Sequence, residues 1–305
     1  MPSAWPIALS PRGLSDLHGL MSTVFQTAAG YERLLSACGL DSMEAVFRFD
    51  RGERLDKPGL EPWRQRWRIC LAGPDQVAGT FYLKRFQDPP VRRQWHRWLQ
   101  GQWPWGTAAV EWRNARDLAA AGIPAAEAVA FGQEMVGLWE RRSFVLLRAV
   151  EGTSLERWVP GNLPPRGRQT DWDHRRARVE SLARFVASFH GAGFVHRDLY
   201  LSHVFIESGG GTPSGSAVEG YRLIDLQRVF RPRWRARRWV VKDLAALHFS
   251  TPADSLSTWE RLRFLVRYVQ TCGRFGPARK LARSVQAKAR RMAAHQPARL
   301  ESAGR

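Results

Sequence analysis

The feature that most restricts this chain is the run His196-Arg197-Asp198-Leu199-Tyr200-Leu201-Ser202-His203, followed after a Gly/Ser-rich link by Leu223-Ile224-Asp225-Leu226. A helical pattern precedes it from Arg176 to Ala192, with Val179, Leu182, Phe185, Val186 and Phe189 on one apolar face and a stop at Gly191 and Gly193. His203 to Ile206 and Tyr221 to Leu226 read as two strands joined by the link Ser208 to Gly220. A hairpin of that kind brings Asp225 back toward Asp198. Phosphoryl transfer uses two carboxylates in this way, one to orient an attacking hydroxyl and one to hold Mg²⁺ against phosphates. Asp198 fits the first task and Asp225 the second.

Upstream, Val46 to Phe49, Trp67 to Leu71 and Thr80 to Phe86 read as strands of an antiparallel sheet, the last after a Gly-Pro-Asp turn. A Trp- and Arg-rich segment, Val91 to Gly106, leads into a helix from Ala108 to Ala121 that ends at Gly122-Ile123-Pro124. Further strands are expected over Ala128 to Phe131 and Ser143 to Val150, and then a turn, Glu151 to Leu155, where Thr153 or Ser154 can cap a helix. Asn162 to Asp173 is polar and rich in Pro, Gly and Arg, hence a loop. After Leu226 the pattern is mainly helical, and from Lys280 it is a basic, Ala-rich helix or frayed tail. There are no internal repeats.

The His196 to His203 run resembles the catalytic loop of protein kinases, with His203 where those enzymes carry a Mg²⁺-binding Asn, and Leu223 to Gln227 stands where they have Asp-Phe-Gly. The wording Asp-Leu-Tyr-Leu-Ser-His, with Ile-Asp-Leu-Gln-Arg-Val downstream, most resembles the lipopolysaccharide core kinases, the Kdo and heptose kinase family of the protein-kinase-like superfamily. The likeness extends from about Val46 to Ser250. It implies an α+β, two-lobed protein-kinase-like fold with a small antiparallel-sheet N-lobe and a mainly helical C-lobe. The corresponding division is 1–40 as an N-terminal extension, 41–150 as N-lobe, 151–275 as C-lobe and 276–305 as a basic C-terminal helix or tail. The implied activity is transfer of a phosphoryl group from ATP, with Mg²⁺, to a heptose or Kdo hydroxyl of the lipopolysaccharide inner core.

On that resemblance, Asp198 is the catalytic base, His196 a buried scaffold residue of its loop, and Arg197 a counter-charge or loop anchor. Asp225 holds the metal with His203 beside it, although imidazole is a poor partner for a hard cation and can serve phosphate or Asp225 instead. Lys84, in Phe81-Tyr82-Leu83-Lys84-Arg85-Phe86, takes the place of the α/β-phosphate lysine, and Glu111 that of its helix partner. Taken singly, these are an exposed strand lysine and a solvated helix acid; their order ahead of the two aspartate loops favours the functional reading. Asp50 to Arg54 lacks a Gly-x-Gly-x-x-Gly signature, so Arg51 and Gly52 are the candidates to cover phosphate, against an ordinary hairpin loop. Arg148, Val150 and Glu151 fall where the backbone meets adenine. Asp243, in Lys242-Asp243-Leu244, matches an aspartate that braces the catalytic loop; its plainer role is a helix N-terminal acid.

Composition narrows the partners. Lys and Arg outnumber Asp and Glu 47 to 28, a formal charge of +19, which steers the chain to anionic glycolipid, an anionic membrane surface or nucleic acid, the last ranked below the others. Arg92, Arg93, Trp95, Arg97, Trp98, Trp103 and Trp105 suit core packing, a lipid interface or stacked bases. Arg231 to Trp239 can grip an anionic sugar or remain a solvated loop. Cys38, Cys70 and Cys272 lack metal-ligand spacing and are odd in number, which points to a reducing compartment. Without a signal-peptide pattern or an apolar span, the expected location is the cytoplasm, with peripheral binding to the cytoplasmic face of the inner membrane. The alternatives are a protein Ser/Thr/Tyr kinase on the same fold and a catalytically silent, basic pseudokinase that docks to membrane or RNA.

Overall fold

The computed structural model describes residues 21–55, 61–73, 76–99, 105–164, 169–207 and 220–295. The chain divides into two compact units, one of residues 1–113 and 127–149, the other of residues 114–126 and 150–305.

In the first unit a six-stranded sheet is built from β1 (Met21–Thr27), β2 (Glu53–Arg54), β3 (Arg64–Gly73), β4 (Gln76–Gln87), β5 (Ala128–Val136) and β6 (Trp139–Arg148). Its order is β1-β5-β6-β4-β3-β2, antiparallel throughout. Residues 21–40, set apart from the sheet in the sequence analysis, supply its edge strand β1 and a helix α1 (Glu32–Ala37). Leu34 and Leu35 of α1 join Ile69, Phe81, Leu83 and Phe144 in one apolar core. On β4 the alternation of a strand sends Phe81 and Leu83 to that core and Lys84 to the opposite face.

The expected strand Val46 to Phe49 is instead the end of a helix, α2 (Met43–Arg48). Ser42 caps it by accepting the N–H of Ala45 at 3.2 Å, and Met43 and Val46, three apart, are buried together. Cap and helical spacing outweigh the strand preference of Val46 and Phe47. Asp50 to Arg54 therefore lies between a helix and the short β2 rather than between two long strands. The Trp- and Arg-rich segment forms α3 (Val91–Leu99); Trp103 lies outside the described residues. The next helix is α4 (Thr107–Ala120).

The second unit holds a three-stranded antiparallel sheet, β7 (Thr153–Ser154), β8 (Val204–Ile206) and β9 (Tyr221–Leu223), in chain order. Gly152 can precede β7 because its φ of 110° is open to glycine and because a Cβ there would overlap the carbonyl of Ile206. Its helices are α5 (Leu155–Asn162), α6 (Gln169–Gly191), α7 (Ala236–Ser250), α8 (Thr258–Cys272) and α9 (Ala278–Ala294). Ser154 stands at the N-cap of α5 without a side-chain hydrogen bond.

The stretch expected as loop to Asp173 is helical from Gln169, because Arg175 turns inward to Glu260 (2.6 Å) and to the carbonyls of Pro164 and Ser255. Strand β9 stops at Leu223 rather than Leu226, since Asp225 has left-handed backbone angles that no strand accommodates. The link residues 208–219 lie outside the described residues. Helix α9 is no frayed tail: Leu281, Val285 and Ala289 recur every four residues and are buried.

Candidate active site

In the first unit, Lys84 is paired across the sheet with Val145 of β6 and reaches Glu111 on α4. Its Nζ donates to both carboxylate oxygens, at 2.6 and 2.9 Å, with Glu111 fully buried and Lys84 nearly so. A buried pair of opposite groups needs contacts this close, since either left alone would be costly. The ammonium is thus fixed in one position. Arg51 lies over the ring of Phe49 at 5.3 Å. Gly52 has φ 136°, and a Cβ there would sit 2.6 Å from the carbonyl of Arg68, so a side chain would block the pairing of β2 with β3. Arg148 ends β6, donating its N–H to Glu127 O at 2.9 Å and its guanidinium to Tyr31 Oη at 3.4 Å.

In the second unit, the catalytic-loop candidate is bracketed by a two-way backbone bridge between Val195 and Phe230. Asp243, buried within α7, accepts the N–H groups of His196 (2.6 Å) and Arg197 (2.7 Å). His190, hydrogen-bonded to the hydroxyl of Tyr268 at 2.9 Å, stands 3.4 Å from the same carboxylate. Asp243 is mid-helix, so its acid serves the loop and not the helix dipole.

His196 is wholly buried and bonds Ile224 O through Nε2 at 3.0 Å, while Nδ1 has no hydrogen-bond partner. Burial lowers its pKa, outweighing the opposite pull of Asp243. His196 is a strut of the loop, out of reach of a substrate. Arg197, at φ 70°, lays its guanidinium 5.3 Å over Trp239 and 5.8 Å over Phe230. Its pKa is lowered by burial first and by Arg228 second.

The Asp198 carboxylate is one-fifth exposed and faces two cations, Arg228 Nη1 at 2.6 Å from Oδ2 and Lys242 Nζ at 3.8 Å from Oδ1. The main-chain carbonyl of Asp198 accepts from Tyr200 N (2.9 Å) and from His203 Nδ1 (2.7 Å). The other ring nitrogen of His203 lies 3.9 Å from Asp225 Oδ2. The hairpin of β8 and β9, in which Val204 pairs with Leu223, thus brings the Asp198 main chain and the Asp225 carboxylate to either side of one imidazole.

Asp225 has φ 57° and ψ 60°, and its side chain is 39% exposed. The turn behind it is pinned by Asn114, whose amide donates to Leu226 O at 2.7 Å and Val229 O at 2.8 Å. Arg228, Lys242 and Asn114 were not identified as site residues from sequence. Arg228, three residues after Asp225, carried a positional hint; Asn114 carried none.

Among the described residues no group of three or more His, Cys, Asp and Glu could hold a metal by itself. Mg²⁺ carried by a nucleotide does not need one, since it keeps waters and phosphate oxygens and takes one or two carboxylates from protein. An exposed Asp225 carboxylate fits that role; the nitrogen of His203 is the weaker ligand.

The first unit thus holds a strand lysine fixed by a helix glutamate, and the second a loop aspartate braced by a buried helix acid with a second aspartate after the following hairpin, arrangements of the protein-kinase-like type. The Lipopolysaccharide kinase (Kdo/WaaP) family matches residues 79–268, more than half of the chain, and the chain belongs to that family.

It is 34% identical over 168 residues to the lipopolysaccharide core heptose(I) kinase WaaP of Pseudomonas aeruginosa, covering 53% of this chain and 59% of that protein. To the WaaP of Escherichia coli it is 28% identical over 199 residues, covering 63% and 72%. The matched part thus spans under two thirds of the Pseudomonas protein. A solved structure of WaaP in complex with acyl carrier protein superposes with a TM-score of 0.63 at 26% identity, covering 89% of this chain and 98% of that one.

Proposed function

We propose that this chain transfers the γ-phosphoryl group of ATP to a heptose or Kdo hydroxyl of the lipopolysaccharide inner core. Family membership and the heptose(I) kinase relatives support the substrate class. The observation that carries the reaction is that His203 stands between the Asp198 main chain and the Asp225 carboxylate, so that both loops meet at one residue.

Asp198 orients the acceptor hydroxyl, which approaches Oδ1, the oxygen less tightly held by cations. Lys84, held by Glu111, meets phosphate oxygens of the nucleotide. Asp225 would hold the Mg²⁺, with His203 beside that carboxylate. Bound Mg²⁺ supplies charge neutralisation on the phosphates it bridges. Arg51, Gly52, Arg148, Val150 and Glu151 are proposed to line the nucleotide.

No helix among the described residues is long and apolar enough to cross a membrane. We propose peripheral attachment at the cytoplasmic face of the inner membrane, supported by a cluster on α3 and β6. Trp95 and Trp139 each approach Trp98 to 4.9 Å between ring centres, and Leu99 beside them is 81% exposed. Arg92 and Arg93 flank the cluster, a mixture suited to anionic headgroups. By likeness to the WaaP complex, acyl carrier protein is a further proposed partner, checked by whether it copurifies.

The test is transfer of labelled phosphate from ATP to purified core glycolipid by the wild type and by Asp198→Asn. Loss of about 10²- to 10⁴-fold in kcat is expected for a missing general base. Equal labelling by both removes Asp198 from the chemistry. Labelling of protein substrates alone favours the protein-kinase alternative, and no labelling of any acceptor favours the silent binding module.

A further inference from the structure

Between α7 and α9 lies a cavity of about 880 Å³ lined by Arg235, Arg237, Arg238, Lys242, Lys288 and Arg291, with Trp239 among them. No carboxylate lines it among the described residues. Lys242 has an acidic partner in Asp198, whereas Arg238 stacks on Trp239 at 5.6 Å. Six cations around one concavity repel one another, so an anion placed among them relieves that repulsion.

Helix α9 builds its wall from sequence spacing: Ser284, Lys288 and Arg291 form a stripe beside the buried stripe Leu281, Val285 and Ala289. The core-facing residues thereby fix where the cations point.

Two contacts tie this cavity to the catalytic loop. Lys242, a lining residue, stands 3.8 Å from Asp198 Oδ1, the oxygen assigned to the acceptor hydroxyl. Trp239, also lining it, carries the guanidinium of Arg197 on its ring.

We propose that this cavity is the anchoring subsite for the acceptor, taking phosphate or carboxylate groups of the saccharide while a neighbouring hydroxyl lies at Asp198. Guanidinium forks suit such oxyanions through paired hydrogen bonds. Continuity with Asp198 favours the acceptor as occupant. The proposal rests on the kinase reading above, and it assigns to α9 a part in substrate binding.

The test uses the full chain, with Lys288→Gln/Arg291→Gln as the variant and Arg283→Gln, exposed on α9 outside the cavity, as the control. The probes are core oligosaccharide bearing its phosphates and carboxylates, and the same oligosaccharide with phosphates removed enzymatically and carboxylates reduced. For the charged acceptor, the double variant should raise KM by about tenfold or more, the loss of one to two charge-assisted contacts, with KM for ATP unmoved. For the uncharged acceptor, variant and wild type should coincide. An unchanged KM, or an equal rise for both acceptors, overturns the proposal.

Binding of the same oligosaccharides, followed by tryptophan fluorescence, separates this result from the activity. If wild type transfers no phosphate yet binds the charged oligosaccharide and the double variant does not, the subsite stands and the kinase reading fails. If wild type fails to bind, or both bind equally, the subsite falls.

Discussion

His203 faces Asp225 across 3.9 Å with its Nε2, while its Nδ1 hydrogen donates to the main-chain carbonyl of Asp198 at 2.7 Å. A carbonyl accepts only, so it is Nδ1 that carries a hydrogen toward Asp198. His203→Ala should raise the Mg²⁺ concentration for half-maximal velocity by about 10- to 100-fold, as losses of groups that orient a metal ligand do. His203→Asn, which offers an amide oxygen, should recover most of it. An unchanged Mg²⁺ requirement in His203→Ala would reduce this residue to a loop support.

Asp243 receives two backbone N–H groups with its two oxygens, and an amide cannot do the same. Asp243→Asn turns an NH₂ toward one of these donors and removes the charge. The expected cost is about 3 kcal/mol in urea unfolding, typical of a buried charged hydrogen-bond partner, with kcat falling in parallel. Full stability and activity in this variant would show that the loop is held by other contacts.

Lys84→Met leaves Glu111 buried without its cation and should destabilise the chain by about 3–5 kcal/mol. Adding Glu111→Leu should restore most of the stability and none of the activity. A double variant no more stable than Lys84→Met would mean that the pair contributes through packing and not charge.

His248 accepts from Arg261 at Nδ1 (3.0 Å), and its pKa lies below the ordinary 6.5, through burial first and the neighbouring Arg261 charge second. Its unfolded form binds a proton sooner than its folded form. Stability from this group is complete above pH 6.5 and declines as pH falls from 6.5 toward the folded value. His196, also lowered by burial, acts in the same direction. Thermal midpoints measured at several pH values should therefore slope downward on acidification, and His248→Asn should flatten the slope. An identical slope in the variant would count against the assignment.

For the tryptophan cluster, cosedimentation with vesicles containing anionic lipid should fall several-fold in Trp95→Ala/Trp139→Ala, with the unfolding midpoint little changed because both side chains are largely exposed. Equal sedimentation would leave the cluster as a surface of the first unit alone.

Much of the candidate site was legible because the chemistry dictates residue type and order: Lys84 lies on a strand, Glu111 on a helix, Asp198 in a loop and Asp225 just past the hairpin. Contacts made only in three dimensions left no local trace: Arg228 and Lys242 at Asp198, and Asn114 behind Asp225. Val46 and Phe47 carry strand preference, whereas the helix there is set by the Ser42 cap and the burial of Met43 with Val46. The cationic composition of α9 hid its apolar stripe, and with it the wall of the acceptor subsite.

The left-handed backbone at Asp225, φ 57° and ψ 60°, sets a selection rule of its own. Sterics at such angles admit glycine freely and, among other residues, Asn and Asp most readily, at about 1–2 kcal/mol for an ordinary side chain. Of those three only one is an anion. Glutamate, equal in charge, would carry that cost in full, so the backbone at position 225 favours the shorter acid.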